Sequence, residues 1–147
     1  MAIRPADAHD ADTVQRVVVR AYQTYIARIG RQPQPMTMDY AALIEGGDVR
    51  VLTQDSAIVG VIVLSDRPDH LLIDNVAVDP VHQRKGYGKV LLAFAEQEAR
   101  NRDHWQVRLY TNEAMTESLA LYRSLGYRET HRATEDGYRR IYLSKAL

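Results

Sequence analysis

The sequence predicts a mixed α/β domain with the element order β-α-α-β-β-β-α-β-α-β-β. Three observations carry that prediction. An apolar stripe at helical period runs from Val14 to Tyr25. Three short β-type runs then follow one another with connections too short for crossovers. From Leu71 to Tyr110 a strand, a glycine-containing loop, a helix and a second strand succeed each other as one β-α-β unit. The 147 residues suit a single domain spanning 1–147 with a substantial core, and 46% hydrophobic and 26% charged residues is the composition of an ordinary globular chain.

Each element has a local reason. Met1–Pro5 reads as an opening strand. Val14, Val17, Val18, Ala21, Tyr22 and Tyr25 fall on one face of a helix, with Asp7 or Asp10 able to cap its start. The two prolines of Gly30–Met36 break that pattern. A shorter helix is expected next, capped by Thr37, with Tyr40, Leu43 and Ile44 inward and Gly46-Gly47 at its end. Val49–Thr53, Ile58–Leu64 and Leu71–Val78 are antiparallel strand candidates, turning at Gln54–Ser56 and Asp66–Asp69. A helix over Gly88–Asn101 buries Leu91, Phe94 and Ala95, and Val107–Tyr110 is the strand that follows. A helix over Glu117–Leu125 stops at Gly126. Tyr127–Thr134 and Tyr138–Leu143 form a closing hairpin across Glu135-Asp136-Gly137.

Composition removes several function classes. The formal net charge is zero, which argues against a strongly basic nucleic-acid binder. Cysteine is absent, so disulfides, thiolate zinc sites and a cysteine nucleophile are excluded together. His9, His70, His82, His104 and His131 show no H-x-x-x-H spacing, and no metal is expected. No run reaches the roughly 18 apolar residues that span a bilayer. Met1–Asp10 lacks an apolar signal core. A soluble, cytoplasmic protein without membrane or nucleic-acid partners is the expectation.

The segment Leu71–Leu92, LLIDNVAVDPVHQRKGYGKVLL, carries the chemistry. A strand enters a loop, and a helix leaves it. The first turn of a helix has unpaired N–H groups and partial positive charge. Glycine lets backbone approach an anion closely. Arg84, Lys85 and Lys89 add cations. A lone G-x-G is also what any tight turn into a helix looks like. The dinucleotide fingerprint fails because Leu91 stands three after Gly88, and the Walker pattern fails because no G-K-[ST] follows.

Gln83, Gly86 and Gly88, set after an apolar strand NVAVDP and before KVLLAFAE, resemble the signature loop of the GNAT superfamily of acetyl-CoA-dependent N-acetyltransferases. The element order and the segment Thr111–Tyr127 resemble that family too. The resemblance implies a GNAT-like acyl-CoA N-acyltransferase fold and acetyl-CoA as co-substrate. It places Gln83, Arg84, Lys85, Gly86, Tyr87, Gly88 and Lys89 around the pyrophosphate. It lays the pantetheine arm along the backbone of Val76, Ala77 and Val78, as an added strand would lie. It also implies Asn112 in cofactor binding, although the interval from Asn112 to Tyr122 is three residues longer than the family's common form. Tyr122, just before Leu125-Gly126-Tyr127, is by the same resemblance a general acid for the departing thiolate. A phenol with pKa near ~10 stays protonated at neutral pH. Met115, Leu119 and Tyr122 also form a stripe at helical spacing, so Tyr122 reads equally as a core tyrosine.

An amine with pKa near ~10.4 must lose a proton before it attacks. Asp74 is the first candidate to accept it, because simple alternation puts it on one strand face with Val76 and Val78; Glu113 and Asp79 come after. Asp74 reads alternatively as a structural carboxylate. Tyr22, Tyr25, Arg28, Arg31 and Met36 are the candidates for an acceptor wall, facing the hairpin Thr134–Tyr138. The arginines suit a carboxylate and Glu135 and Asp136 suit a cation, so the acceptor stays open between small-molecule and peptide amines. Trp105 reads as packing. A homodimer through the C-terminal hairpin is expected. The rival functions are a non-catalytic acyl-CoA-binding module on the same fold and a nucleotide-binding domain unrelated to CoA.

Overall fold

The computed structural model describes residues 1–147. Seven strands form one sheet in the order β1-β2-β3-β4-β5-β7-β6. They are β1 (Ala2–Pro5), β2 (Val49–Gln54), β3 (Ala57–Asp66), β4 (Leu71–Val78), β5 (Gln106–Asn112), β6 (Arg128–Glu135) and β7 (Tyr138–Ala146). All neighbours are antiparallel except β4 and β5, which are parallel because α4 (Tyr87–Asn101) crosses over between them.

Two cores cover the two faces. Val14, Val17 and Val18 of α1 (Ala11–Tyr22) and Tyr40 and Ile44 of α3 (Tyr40–Glu45) pack on Val49, Val51, Val61, Val63 and Ala77. Leu91, Leu92, Ala95 and Ala99 of α4, with Leu119 and Tyr122 of α5 (Thr116–Ser124), pack on Leu64, Leu71, Ile73, Leu109, Ile141 and Leu143. Each fully buried Val or Leu here contributes about 1.5–3 kcal/mol. Phe94 is only half-buried and Leu92 takes the inward position expected of it.

The N-terminal half is more broken than its periodicity suggested. After α1 come a 3₁₀ turn at Gln23–Tyr25, the single turn α2 (Ile26–Ile29) and a second 3₁₀ turn at Gln34–Thr37. Gly30 ends α2 at φ 86°, a left-handed conformation that suits glycine. Asp7 caps the leading turn by accepting from the His9 N–H at 2.9 Å, while Asp10 accepts from the Asp7 N–H at 2.9 Å. The cap of α3 is Asp39, whose Oδ1 accepts from the Ala42 N–H at 3.1 Å. Thr37 does not cap, because its hydroxyl donates to the Gln34 carbonyl at 2.7 Å and closes the preceding turn. Trp105 is 62% exposed rather than packed.

The feature that makes room for a site is a splay. The parallel pair β4–β5 is in register only at Leu71–Val107, Leu72–Arg108 and Ile73–Leu109. Beyond those three positions the strands separate, and Asp74–Val78 faces Tyr110–Asn112 across a gap. At the point of separation β4 carries a β-bulge. Leu64 pairs with Ile73 and Val63 with Asn75, so Asp74 stands opposite no residue of β3.

Candidate active site

The splay leaves a strand edge open in the middle of the sheet. The Asp79 N–H reaches the Val59 carbonyl at 2.9 Å across β3. By the two-residue period of a strand, the backbone groups of Val76 and Val78 point the other way, into the gap. Side chains reach those carbonyls there. The Gln83 amide donates to the Val78 oxygen at 3.3 Å, and the Tyr22 hydroxyl lies 3.1 Å from the Val76 oxygen.

Two spaces open from this edge. A groove runs along Val76, Ala77 and Val78 to the loop Gln83, Arg84, Gly86, Tyr87, Gly88 and Lys89, and is closed on the far side by Ser118 and Leu121 of α5. Its loop is built for backbone exposure. Gly86 sits at φ 81° as the residue before α4, and no side chain caps that helix. The Val90 N–H is the first to turn back, to the Gly86 carbonyl at 3.1 Å. The N–H groups of Tyr87, Gly88 and Lys89 therefore lie ahead of the hydrogen-bonded ladder. Arg84, Lys85 and Lys89 are exposed. The Tyr87 hydroxyl donates to the Gln54 side chain, which holds the loop to β2.

The second space is a half-open cavity. Ile73, Asp74, Asn75 and Val76 of β4, Tyr110 and Asn112 of β5, and Tyr138 and Arg140 of β7 form its floor and sides; Ile29, Pro33, Pro35 and Met38 cover it. Tyr22, Val76, Met115 and Tyr122 line both the groove and the cavity. The two spaces meet at those four residues.

Tyr122 is buried at that junction, its ring edge-on to Tyr127 at 6.1 Å between centroids. Burial pushes its pKa above the ordinary phenol value. Tyr22 is held by a buried network. Its hydroxyl donates to Asn75 Oδ1 at 2.5 Å, Asn75 Nδ2 donates to the Tyr40 hydroxyl at 2.9 Å, and Tyr40 donates to the Pro35 carbonyl. One asparagine thus ties α1, α3 and the covering loop to β4. Burial pushes the Tyr22 phenol well up as well.

Asp74 departs from the expected face. The bulge shifts the alternation of β4, so Val76 packs toward α4 while the Asp74 carboxylate accepts from Ser65, whose strand neighbour Val63 faces α1. Asp74 therefore lies in the cavity beside Asn75 and away from the groove. Burial raises its pKa above the usual carboxylate value, against the lowering effect of the Ser65 hydrogen bond. Asn112 also departs from expectation. It lines the cavity and not the groove, and its Oδ1 accepts from the Ala114 N–H at 2.9 Å to make the turn into α5.

The expected acceptor wall is partly dispersed. Tyr25 lines the groove, and its hydroxyl donates to Glu117 at 3.3 Å. Arg28 lines neither space. It pairs with Glu117 at 2.8 Å and holds that carboxyl down at about 2. Arg31 turns to the Asp136 carbonyl at 2.7 Å and stacks 4.1 Å over Tyr138. Met36 is core, because the 3₁₀ turn Gln34–Thr37 rotates it inward and presents Met38 to the cavity instead. Glu113 and Asp79 are engaged by Arg139 and Arg20 at 3.3 Å each. The cavity residues that sequence reasoning missed are Asn75, Tyr110 and Arg140, while Tyr138 lies in the hairpin expected to face the acceptor wall. The signal for Asn75 was available, as an amide inside an apolar strand. The signal for Tyr110 and Arg140 was not, because it required knowing how β5 and β7 lie side by side.

No group of three or more His, Asp or Glu side chains is arranged to hold a metal ion, and no helix is long and apolar enough to cross a membrane.

Known proteins share this architecture. The chain is 36% identical over 78 residues to the uncharacterized protein YxbD of Bacillus subtilis (strain 168), a match covering 53% of this chain and about half (48%) of that relative. The PaiA N-acetyltransferase of Thermoplasma acidophilum, solved in complex with coenzyme A, superimposes with TM-score 0.82 at 19% identity, over 99% of this chain and 98% of that one. The ribosomal-protein-S18-alanine N-acetyltransferase of Escherichia coli does so with TM-score 0.78 at 24% identity, over 99% and 92%. At such identities the likeness is one of fold. The sequence itself matches the acetyltransferase (GNAT) family over residues 19–127, from α1 through the splayed strands and the loop to the end of α5. The chain belongs to the acetyltransferase (GNAT) family.

Proposed function

We propose that the chain transfers an acetyl group from acetyl-CoA to an amine directly, with both substrates bound at once. The observation that carries this reading is the meeting of groove and cavity at Tyr22, Val76, Met115 and Tyr122. A donor lying in one space and an acceptor in the other come together there and nowhere else along the open edge.

The groove suits CoA at both ends. Exposed N–H groups at the start of α4, with Arg84, Lys85 and Lys89, suit a pyrophosphate. The outward backbone of Val76 and Val78 suits the amides of pantetheine, which pair as a strand does. The reaction then needs three things of the chain. The amine must give up a proton, and Asp74 is the carboxylate in the cavity able to take it, through water. The oxyanion formed when the amine attacks the thioester carbonyl needs N–H donors, which the Val76–Val78 edge offers. As the tetrahedral intermediate collapses, the C–S bond breaks and the thiolate takes a proton from the Tyr122 hydroxyl, which is restored from solvent. A single continuous sheet over residues 2–146 supports one domain performing all of this.

The test is thiol release from acetyl-CoA across a panel of amines. Tyr122→Phe is expected to lower kcat by about 10²-fold while CoA affinity is kept. Full turnover in that variant removes Tyr122 as the acid. CoA binding without turnover on any amine supports the non-catalytic module. Stabilisation on heating by ATP or NAD but not by CoA defeats the donor assignment.

A further inference from the structure

We propose that the acceptor is a small amine that also carries a carboxylate, an amino acid or a close analogue, and that Arg140 receives the carboxylate. The inference rests on reading this cavity as the acceptor site.

Arg140 stands opposite Asn112 in the β5–β7 register, and its side chain turns into the cavity rather than out to solvent. That side chain is only 10% exposed. A guanidinium so placed has left most of its hydration, which is costly unless charge and hydrogen bonds replace it. The protein replaces it only in part. One nitrogen donates to the neutral Gln34 side chain, and another lies 3.6 Å from Glu135 Oε1. That Glu135 oxygen is shared with the Tyr142 hydroxyl, and its side chain is 45% exposed. A guanidinium has five N–H donors in a fixed fork. The Tyr110 ring, with its centroid 4.9 Å from the Arg140 carbon, fixes the plane of the fork without consuming a donor.

The other charged group in the cavity is Asp74, and burial shifts that group toward its neutral form. Tyr110 lines the same cavity under Arg140, and its phenol feels both charges. The cavity floor thus runs from a proton acceptor on β4, beside the junction with the groove, to a cation on β7. An acceptor with its amine at Tyr122 and Val76 presents its other end toward that cation. Carboxylate recognition by a planar, largely buried fork is among the stronger directional contacts available.

The competing signals do not reach this space. Arg28 is spent on Glu117 and Arg31 on the Asp136 carbonyl. Glu135 and Asp136, which would suit a polycation, do not line the cavity. A polyamine would also meet the buried guanidinium with like charge. Arg140 lies outside the stretch matched to the family, on the closing hairpin.

The experiment compares acceptors in matched sets, each an amino acid, its primary amide and its decarboxylated amine, with thiol release as readout. The free acid is expected to exceed the other two in kcat/KM by about tenfold or more. Arg140→Gln is expected to collapse that preference toward one, through KM rather than kcat, and Arg140→Lys to retain part of it. Equal use of acid and amide by the wild-type protein overturns the proposal, as does an equal loss on all three arms in Arg140→Gln. Calorimetry of the wild-type protein with an N-acetyl amino acid and its amide gives a readout independent of turnover and of any variant's folding. Tighter binding of the acid supports the carboxylate site, and equal binding overturns it. Thiol release absent from every arm defeats the transferase reading instead.

Discussion

Asp74 shows how one residue's backbone decides its chemistry. Simple alternation sends its side chain toward the donor groove. The bulge leaves it without a partner on β3 and turns it into the cavity, where Ser65 holds it. Burial raises its pKa above 3.8 in the folded state. The folded protein therefore holds this proton more tightly than the unfolded chain. Stability falls as pH rises from about 4 through the folded pKa, and the loss persists above it. Asp74→Asn removes that loss. The melting temperature of the variant relative to wild type is expected to climb between pH 4 and neutrality and to show no gain below that window; a constant difference would deny the raised pKa. In the acetylation assay the acid limb of kcat/KM that belongs to Asp74 is expected to vanish in the same variant. Tyr122 needed no such correction. Its place before Leu125-Gly126 put it on an inward helical stripe, and the structure brings that stripe to the junction of the two spaces. The core reading of this tyrosine holds, since it is buried, and the same ring also lines both spaces.

At the scale of the element, the loop into α4 separates two uses of glycine. Gly86 adopts φ 81°, and a side chain there is strained by about 1–2 kcal/mol even though nothing crowds it. Gly88 has an ordinary helical backbone, and an added methyl would meet only the Leu121 side chain at 3.6 Å, a normal contact. Alanine is favoured over glycine inside a helix by about 1 kcal/mol. Gly88→Ala is thus expected to keep or raise the melting temperature, whereas Gly88→Asp is expected to weaken CoA by about tenfold or more, because it sets a carboxylate where backbone must approach phosphate. Gly86→Ala is expected to lose stability first. Melting curves and CoA titration on these variants check this, and unchanged CoA affinity in Gly88→Asp would remove the loop from the proposed donor site. The same loop was legible in sequence because each of its signals is local: a strand, two glycines, a helix and cations within one short segment. The interrupted first helix was not. Its stripe to Tyr25 is genuine, and the prolines account for the turn at Gln34–Thr37, but the break at Gln23–Tyr25 carries no proline or glycine to announce it.

For the whole molecule, the buried tyrosines couple both cores to pH. Tyr22 and Tyr40 lie on the α1 face and Tyr122 and Tyr127 on the α4 face, and burial raises all four phenols above 10.0. In the folded state these groups stay protonated where the unfolded chain would ionise. Their contribution to stability is complete below pH ~10 and is lost as pH rises beyond it. Denaturant melts are expected to show stability level from neutral pH to about 10 and falling above, with the phenolate absorbance of these four tyrosines, out of nine in the chain, appearing only together with unfolding. Ionisation of the buried tyrosines before any loss of structure would contradict this.

The order of strands and helices, the glycine loop into α4 and the inward place of Tyr122 were determined by the sequence alone, because periodicity, turn chemistry and short motifs act between residues close in the chain. The splay of β4 from β5, the face taken by Asp74, the diversion of Met36 into the core and the arrival of Arg140 in the cavity were decided by tertiary structure. Each depends on a register or strand order set between distant segments: the bulge on the pairing of β3 with β4, and the position of Arg140 on the insertion of β7 beside β5. Those pairings are chosen by the summed burial of two cores, a property of the whole sheet that no single stretch of sequence contains.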